Sequence, residues 1–240
     1  MAYNFLSLVN NLCQATNEVE LSASNFSSVD GIYNDFKRSI NDTIAEINAE
    51  RIDWPFNHTR TTLVLTAGVN RYAFPANAEY MDFNTFRIHR DDTIGNSTSS
   101  LKEIDYDTYI KYYSDDEYNT TNSSIRGLPN LVSVTQGMNF VVWRVPDAAY
   151  TLEYEYFSLP TDLVAYSDTP TIPEQFKYVI IAGALRHSYN FKDDIEVRDR
   201  ISTTYETGLK AMRRTYISRA IKFKDTMIVK SPKYADRFGP

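Results

Sequence analysis

The sequence predicts an α+β protein: an antiparallel helical bundle built from both chain ends, an inserted antiparallel β-domain and an extended C-terminal arm. Three observations predict it. Apolar residues recur every three or four positions near both ends of the chain. Between them, short runs of β-branched and aromatic residues alternate with a period of two and are bounded by turn residues. After Thr226 the periodicity stops. The divisions expected are 1–53 for the first half of the bundle, 54–166 for the β-domain, 167–226 for the second half and 227–240 for the arm. Either helical pair alone buries only one face, so four helices are needed to close one core.

The first helix falls over residues 4–18, where Phe5, Leu8, Val9 and Leu12 share a face. Cys13 lies beside that face and reads as a small core residue rather than a nucleophile. The second helix carries a longer stripe of Val29, Ile32, Tyr33, Phe36, Ile40, Ile44 and Ile47. Ser27, Ser28, Val29 and Asp30 are expected to cap its start, and Pro55 stops it near Arg51.

The pattern changes at Asp53, Trp54, Pro55 and Phe56. Residues 61–66 read as a strand, Gly68, Val69 and Asn70 as a turn, and 71–74 as the returning strand. Residues 82–90 alternate, with Phe83, Thr85, Arg87 and His89 on one side and Phe86 and Ile88 on the other. A turn at Gln136 and Gly137 joins 131–134 to 138–145 in a hairpin. Residues 151–157 alternate strictly, with Leu152, Tyr154 and Tyr156 opposite Glu153 and Glu155. Residues 91–100 read as a loop and 114–126 as a long mobile loop. Between them, 104–113 form a short helix that clusters Tyr106, Tyr109, Ile110 and Tyr113.

Pro173 suits a first helical position and Glu174 the positive end of the helix dipole. Phe176, Ile180, Ala184, His187 and Phe191 form the stripe of that helix, and Ala182, Gly183 and Ala184 permit close approach of another. Asp193 or Asp194 then caps a last helix with Ile201, Tyr205, Leu209, Met212 and Tyr216 in register, running to about Phe223.

Composition narrows the class. The 240 residues are 42% hydrophobic and 23% charged, which excludes whole-chain disorder. A single cysteine excludes an internal disulfide and a thiolate zinc cluster. The start of the chain has no basic region followed by an apolar core, and no apolar run is long enough to span a bilayer. A soluble protein made in a reducing cytoplasm is expected. Tyr outnumbers Phe by 18 to 13, which suits either a wet protein-facing surface or a tyrosine-rich sheet.

Charge is unevenly placed. The net charge is −6, yet from Lys210 onward nine cations face only Asp225 and Asp236, so that segment carries +7 and the rest of the chain −13. A basic arm on an acidic body points to docking on an acidic protein or on nucleic acid. Cations also favour the C-terminal end of a helix for its own dipole, but that covers the helix and not the tail beyond it.

No specific catalytic, cofactor or metal constellation is present in the sequence. His58, His89 and His187 sit in three different elements without ligand spacing, and His187 reads as a core residue on an apolar stripe. No nucleophile elbow, P-loop or dinucleotide fingerprint occurs. The acidic run Asp115, Asp116 and Glu117 lacks the spacing and glycine of a calcium loop and reads as a solvated loop.

The order of segments over 101–191 resembles the head-to-tail adaptors of tailed bacteriophages, above all the tail tubular protein A family of short-tailed phages. The resemblance is carried by Leu101-Lys102-Glu103-Ile104 ahead of Tyr106 to Tyr113, then Gly127-Leu128-Pro129, then Arg144-Val145-Pro146-Asp147-Ala148-Ala149-Tyr150 and Leu152-Glu153-Tyr154-Glu155-Tyr156. Leu159-Pro160-Thr161-Asp162-Leu163, Asp168-Thr169-Pro170-Thr171-Ile172-Pro173 and the helix holding Ala182-Gly183-Ala184-Leu185 follow. The segment around Leu8-Val9-Asn10 and Asn17-Glu18-Val19 is similar to the family's opening helix.

The resemblance implies a structural, non-enzymatic virion protein of the neck. It implies a ring of twelve copies beneath the portal protein, a channel that passes double-stranded DNA without sequence-specific contact, and a platform for the next tail nozzle or tail tube protein and for tail fibres. It implies neither cofactor nor membrane. It also implies a C-terminal arm along the portal, for which Arg213, Arg214, Arg219, Lys222, Lys224, Lys230, Lys233 and Arg237 are the candidate charged contacts and Tyr234 and Phe238 the anchors. Tyr154 and Tyr156 are the candidates for a tail-side or peripheral interface. The competing readings are a DNA-binding protein using Arg213, Arg214 and Arg219, against which the −13 body argues, and an enzyme, for which no residue nominates itself.

Overall fold

The computed structural model describes residues 3–90, 97–118, 123–189 and 195–216. It contains helices and sheets in separate layers, so the α+β class stands. The first helix, α1 (Phe5–Thr16), opens with a capping box in which Asn4 and Ser7 satisfy each other's backbone N–H groups. It buries Phe5, Leu8, Val9, Leu12 and Cys13, and burial pushes the Cys13 thiol pKa up.

The second helix, α2 (Ile32–Glu50), starts later than its apolar stripe suggested. Its cap is Gly31 at φ 68°, a left-handed conformation that glycine adopts without strain. The serines expected to cap it are instead held in a turn that buries Phe26, whose carbonyl accepts a 2.6 Å bond from Lys37 Nζ.

Two more helices complete this layer: α5 (Lys177–Tyr189) and α6 (Ile195–Tyr216). All four share one hydrophobic core with Trp54, Leu163 and Ile172. Gly183 explains how closely α5 sits against its neighbours. A Cβ there would lie 2.3 Å from Thr43 on α2 and 2.9 Å from Tyr205 on α6. The chain between the β layer and α5 is bound to the first two helices. Phe5 N–H donates to the Asp168 carbonyl, and the Asn41 side chain both donates to and accepts from the Leu163 backbone. The expected cap at Asp193 or Asp194, the stripe residue Phe191, residues 217–223 of the last helix and the arm lie outside the described residues.

The middle of the chain forms two four-stranded sheets with a core between them. Sheet A has the order β1 (His58–Leu65), β8 (Tyr150–Ser158), β3 (Ala78–Arg90), β4 (Ser97–Ser100). Sheet B has the order β2 (Arg71–Ala73), β7 (Asn139–Trp143), β6 (Leu131–Thr135), β5 (Lys102–Glu103). The β6–β7 hairpin closes at the turn expected.

Four readings are corrected. The strand at 71–74 does not return along β1 but crosses to sheet B, where Tyr72 and Phe74 stack on Phe140. Residues 97–100 are a strand, not loop. The pairing of β5 with β6 is parallel, so the β layer is not wholly antiparallel. In β3 a break in pairing with β8 between Asp82 and Arg87 shifts the alternation. Phe83 therefore joins Phe86 and Ile88 in the core, stacking on Phe86 at 4.9 Å, while Thr85 Oγ1 accepts from Glu155 N–H.

Candidate docking surfaces

The basic end of the chain begins on α6. Arg213 reaches back to Glu50 at the end of α2 and forms an ion pair with it. Its charge is thus engaged in holding α6 to α2 rather than left entirely to a partner. Arg214 and Lys210 are exposed. Arg219, Lys222, Lys224, Lys230, Lys233, Tyr234, Arg237 and Phe238 lie outside the described residues.

The described part of α6 ends on an aromatic anchor. The Tyr216 ring meets Trp54, Phe56 and Phe176, with centroids 5.8–6.4 Å apart. One turn before Glu50, Glu46 pairs with Arg186 of α5, whose guanidinium lies over Tyr205. Burial and then the Glu46 charge push the Tyr205 hydroxyl pKa up to about 12. His187, read as a core residue, is half-buried, and its Nε2 stands 3.6 Å from Glu46, too far for a hydrogen bond.

Tyr154 and Tyr156 are not on a surface. They are 3% and 6% exposed and belong to the core between the sheets, where Tyr154 stacks on Phe86. Strand alternation points them inward, so these two candidates are corrected to core residues. What sheet A presents outward is their alternate set. His58 stacks on Phe157 and approaches Glu155 at 3.1 Å, while Arg60 and His89 both reach Glu153. The hydrogen bond from His89, then Arg60, holds the Glu153 carboxyl below the usual carboxylate range. A depressed pKa contributes stability above the ordinary carboxylate value and loses it as the pH falls through the depressed one. Glu153→Gln is therefore expected to lower Tm at pH 7, with the gap to the parent protein closing as the pH falls below about 4.5. Thermal melts from pH 7 to pH 3 check this.

The outer face of sheet B is covered by α3 (Tyr106–Tyr112) and α4 (Asp115–Tyr118). The acidic run expected in a solvated loop is part of this cover. Glu117 accepts two bonds from Arg71 and one from the Tyr109 hydroxyl at 2.7 Å, and Asp116 accepts from Trp143 Nε1 at 2.8 Å. Burial, then Glu117, drives the Tyr109 hydroxyl pKa well above its usual value. The partners Arg71 and Trp143 come from two other elements, which nothing in the local sequence announces. Ile110, Tyr112 and Tyr118 remain outside, 45%, 64% and 82% exposed.

Among the described residues no group of three or more His, Cys, Asp or Glu could hold a metal ion, and no helix is long and apolar enough to cross a membrane. These features describe a scaffold with charged and aromatic outer faces. No curated protein matches the chain. A family model described as SU10 adaptor protein does, over residues 3–224, which takes in both helical segments and the β layer. The chain therefore belongs to the SU10 adaptor protein family and is a phage adaptor, a structural component of the virion.

Proposed function

We propose that this adaptor forms the ring, of twelve copies, that joins the portal vertex of the capsid to the tail, as tail tubular protein A does in short-tailed phages. The observation that carries the reading is the family match over nearly the whole chain, joined to a C-terminal segment of charge +7 on a body of −13. In this reading the helices of both chain ends form the wall of the ring and the portal-facing arm continues from α6. The β layer receives the tail nozzle or tube protein and the fibres. The chain acts by position and charge, without turnover of a substrate.

The ring would surround double-stranded DNA without reading its sequence. Twelve copies carry roughly twelve times −6 in formal charge, and an acidic lumen repels phosphates, so DNA slides during packaging and ejection. Truncation after Thr226 is expected to abolish portal binding while leaving the fold of the described residues intact. Electron microscopy of the chain incubated with its portal ring tests the reading. A symmetric collar with the arm against the portal is the expected result. Absence of a collar at every concentration, or unchanged binding after truncation, would overturn it.

A further inference from the structure

A cleft runs between α2 and the chain that leaves β8. Asn41, Ala45 and Ala49 line one side, residues 159–162 the other, and Glu79 of β3 its end. A second hollow continues it past Ile44 to Asp168. Glu79 stands where the β3–β8 pairing slips: Ala78 faces Ser158 and Tyr80 faces Phe157, so Glu79 is the extra residue of a β-bulge. A bulge re-aims the side chain it carries, and this one lines the cleft. Among the described residues its Oε2 is buried and has no hydrogen-bond partner. An unpaired buried carboxylate oxygen is costly until a donor or cation reaches it.

The lining carries Glu79, Asp162 and Asp168 and no Lys or Arg. Asp168 already accepts from the Val164 and Ala165 N–H groups. Glu79 and Asp162 are left for an incoming cation. Part of the lining is apolar and open to solvent: Leu159 is 54% exposed, and Ala45 and Ala49 are exposed beside it.

We propose that this cleft is the docking site of the chain's own basic C-terminal segment, residues 217–240. The segment holds six Lys and Arg against two Asp, interspersed with Ile221, Phe223, Met227 and Ile228, and so matches an acidic cleft whose lining is partly apolar. The place where α6 ends supports the same occupant. Tyr216 sits against Trp54, and Trp54 donates to the Ile47 carbonyl of α2. On α2, Glu46 and Glu50 face the cations of α5 and α6, whereas Asn41, Ala45 and Ala49 face the cleft.

The cleft thus opens about half a turn round α2 from the end of α6. That path is about 17 Å over a helix surface, which about six extended residues span. A tether this short holds the segment at an effective concentration on the order of millimolar, which favours it over the same segment from a separate chain. The site holds the arm in the free protein, and a partner that takes the arm must compete with it. That competition holds whichever partner takes the arm.

Photo-crosslinking tests it in the full-length chain, free of any other protein, with Thr161→p-benzoylphenylalanine as the probe. The expected product runs at monomer mass and maps to residues 217–240. Its yield falls at least fivefold in the Glu79→Gln, Asp162→Asn double variant, and falls as salt is raised from 50 mM to 500 mM. No crosslink, a crosslink elsewhere, a product at dimer mass or a yield indifferent to salt would overturn the proposal. The salt series leaves Glu79 unchanged, so it decides the matter even if the double variant does not fold.

Discussion

Trp54→Ala is expected to destabilise the helical layer by about 4 kcal/mol, in the range for removing a fully buried aromatic side chain. Trp54 is 1% exposed and donates through Nε1 to the Ile47 carbonyl at 2.8 Å. It stacks on Phe56 and meets the edge of Tyr216. Its loss opens a cavity where α2, the entry to β1 and the end of α6 converge, and α6 loses its aromatic anchor. For a chain of this size the expected fall in Tm is about 8–16 °C. Calorimetry checks it. The two sheets have their own core, so their near-ultraviolet aromatic signal is expected to persist above the temperature at which the helical signal is lost. A fall of less than 3 °C would show that Trp54 does not fasten this junction.

Gly183→Ala is expected to destabilise by about 2 kcal/mol, although alanine is intrinsically the better helix former by about 1 kcal/mol. The added Cβ would stand 2.3 Å from Thr43 Cγ2 and 2.9 Å from Tyr205 Cε2. Thr43 cannot turn aside freely, since its hydroxyl donates to the Ser39 carbonyl at 2.7 Å in a fully buried position. Either α2 or α6 must move away from α5, and every contact along that seam lengthens. Thr43→Ala on top of Gly183→Ala is expected to restore part of the loss by removing the nearer obstacle. Denaturant melts of the single and double variants give the coupling energy, and strict additivity would show that the two residues do not meet.

The four long helices were legible because an amphipathic stripe is a local property. Phe5, Leu8, Val9 and Leu12, or Phe36, Ile40, Ile44 and Ile47, show their buried face by spacing alone. The small-residue run at Ala182, Gly183 and Ala184 likewise announced close helix packing. Tyr154 and Tyr156 show the limit of that legibility. Alternation identified their face, but whether it met water, a partner or another sheet depended on where the second sheet lay.

The misread features share one cause. The start of α2 moved to Gly31 because the burial of Phe26 held the preceding serines in a turn. The strand at 71–74 left β1 because Phe140, nearly seventy residues later in the chain, offers Tyr72 and Phe74 a better surface. Phe83 turned inward because β8 breaks register against β3.

By itself, then, the sequence determined the α+β class, the faces of the helices, the β6–β7 turn and the division of charge between body and arm. Each follows from residues within a few positions of one another or from simple summation. Tertiary structure alone decided which strands pair and that Glu117 and Asp116 bind Arg71, Tyr109 and Trp143. It also decided that Arg213 meets Glu50 and that Glu79 faces a cleft. Those outcomes depend on contacts between distant segments. Their energies exceed local preference only once the chain has closed the loops between them.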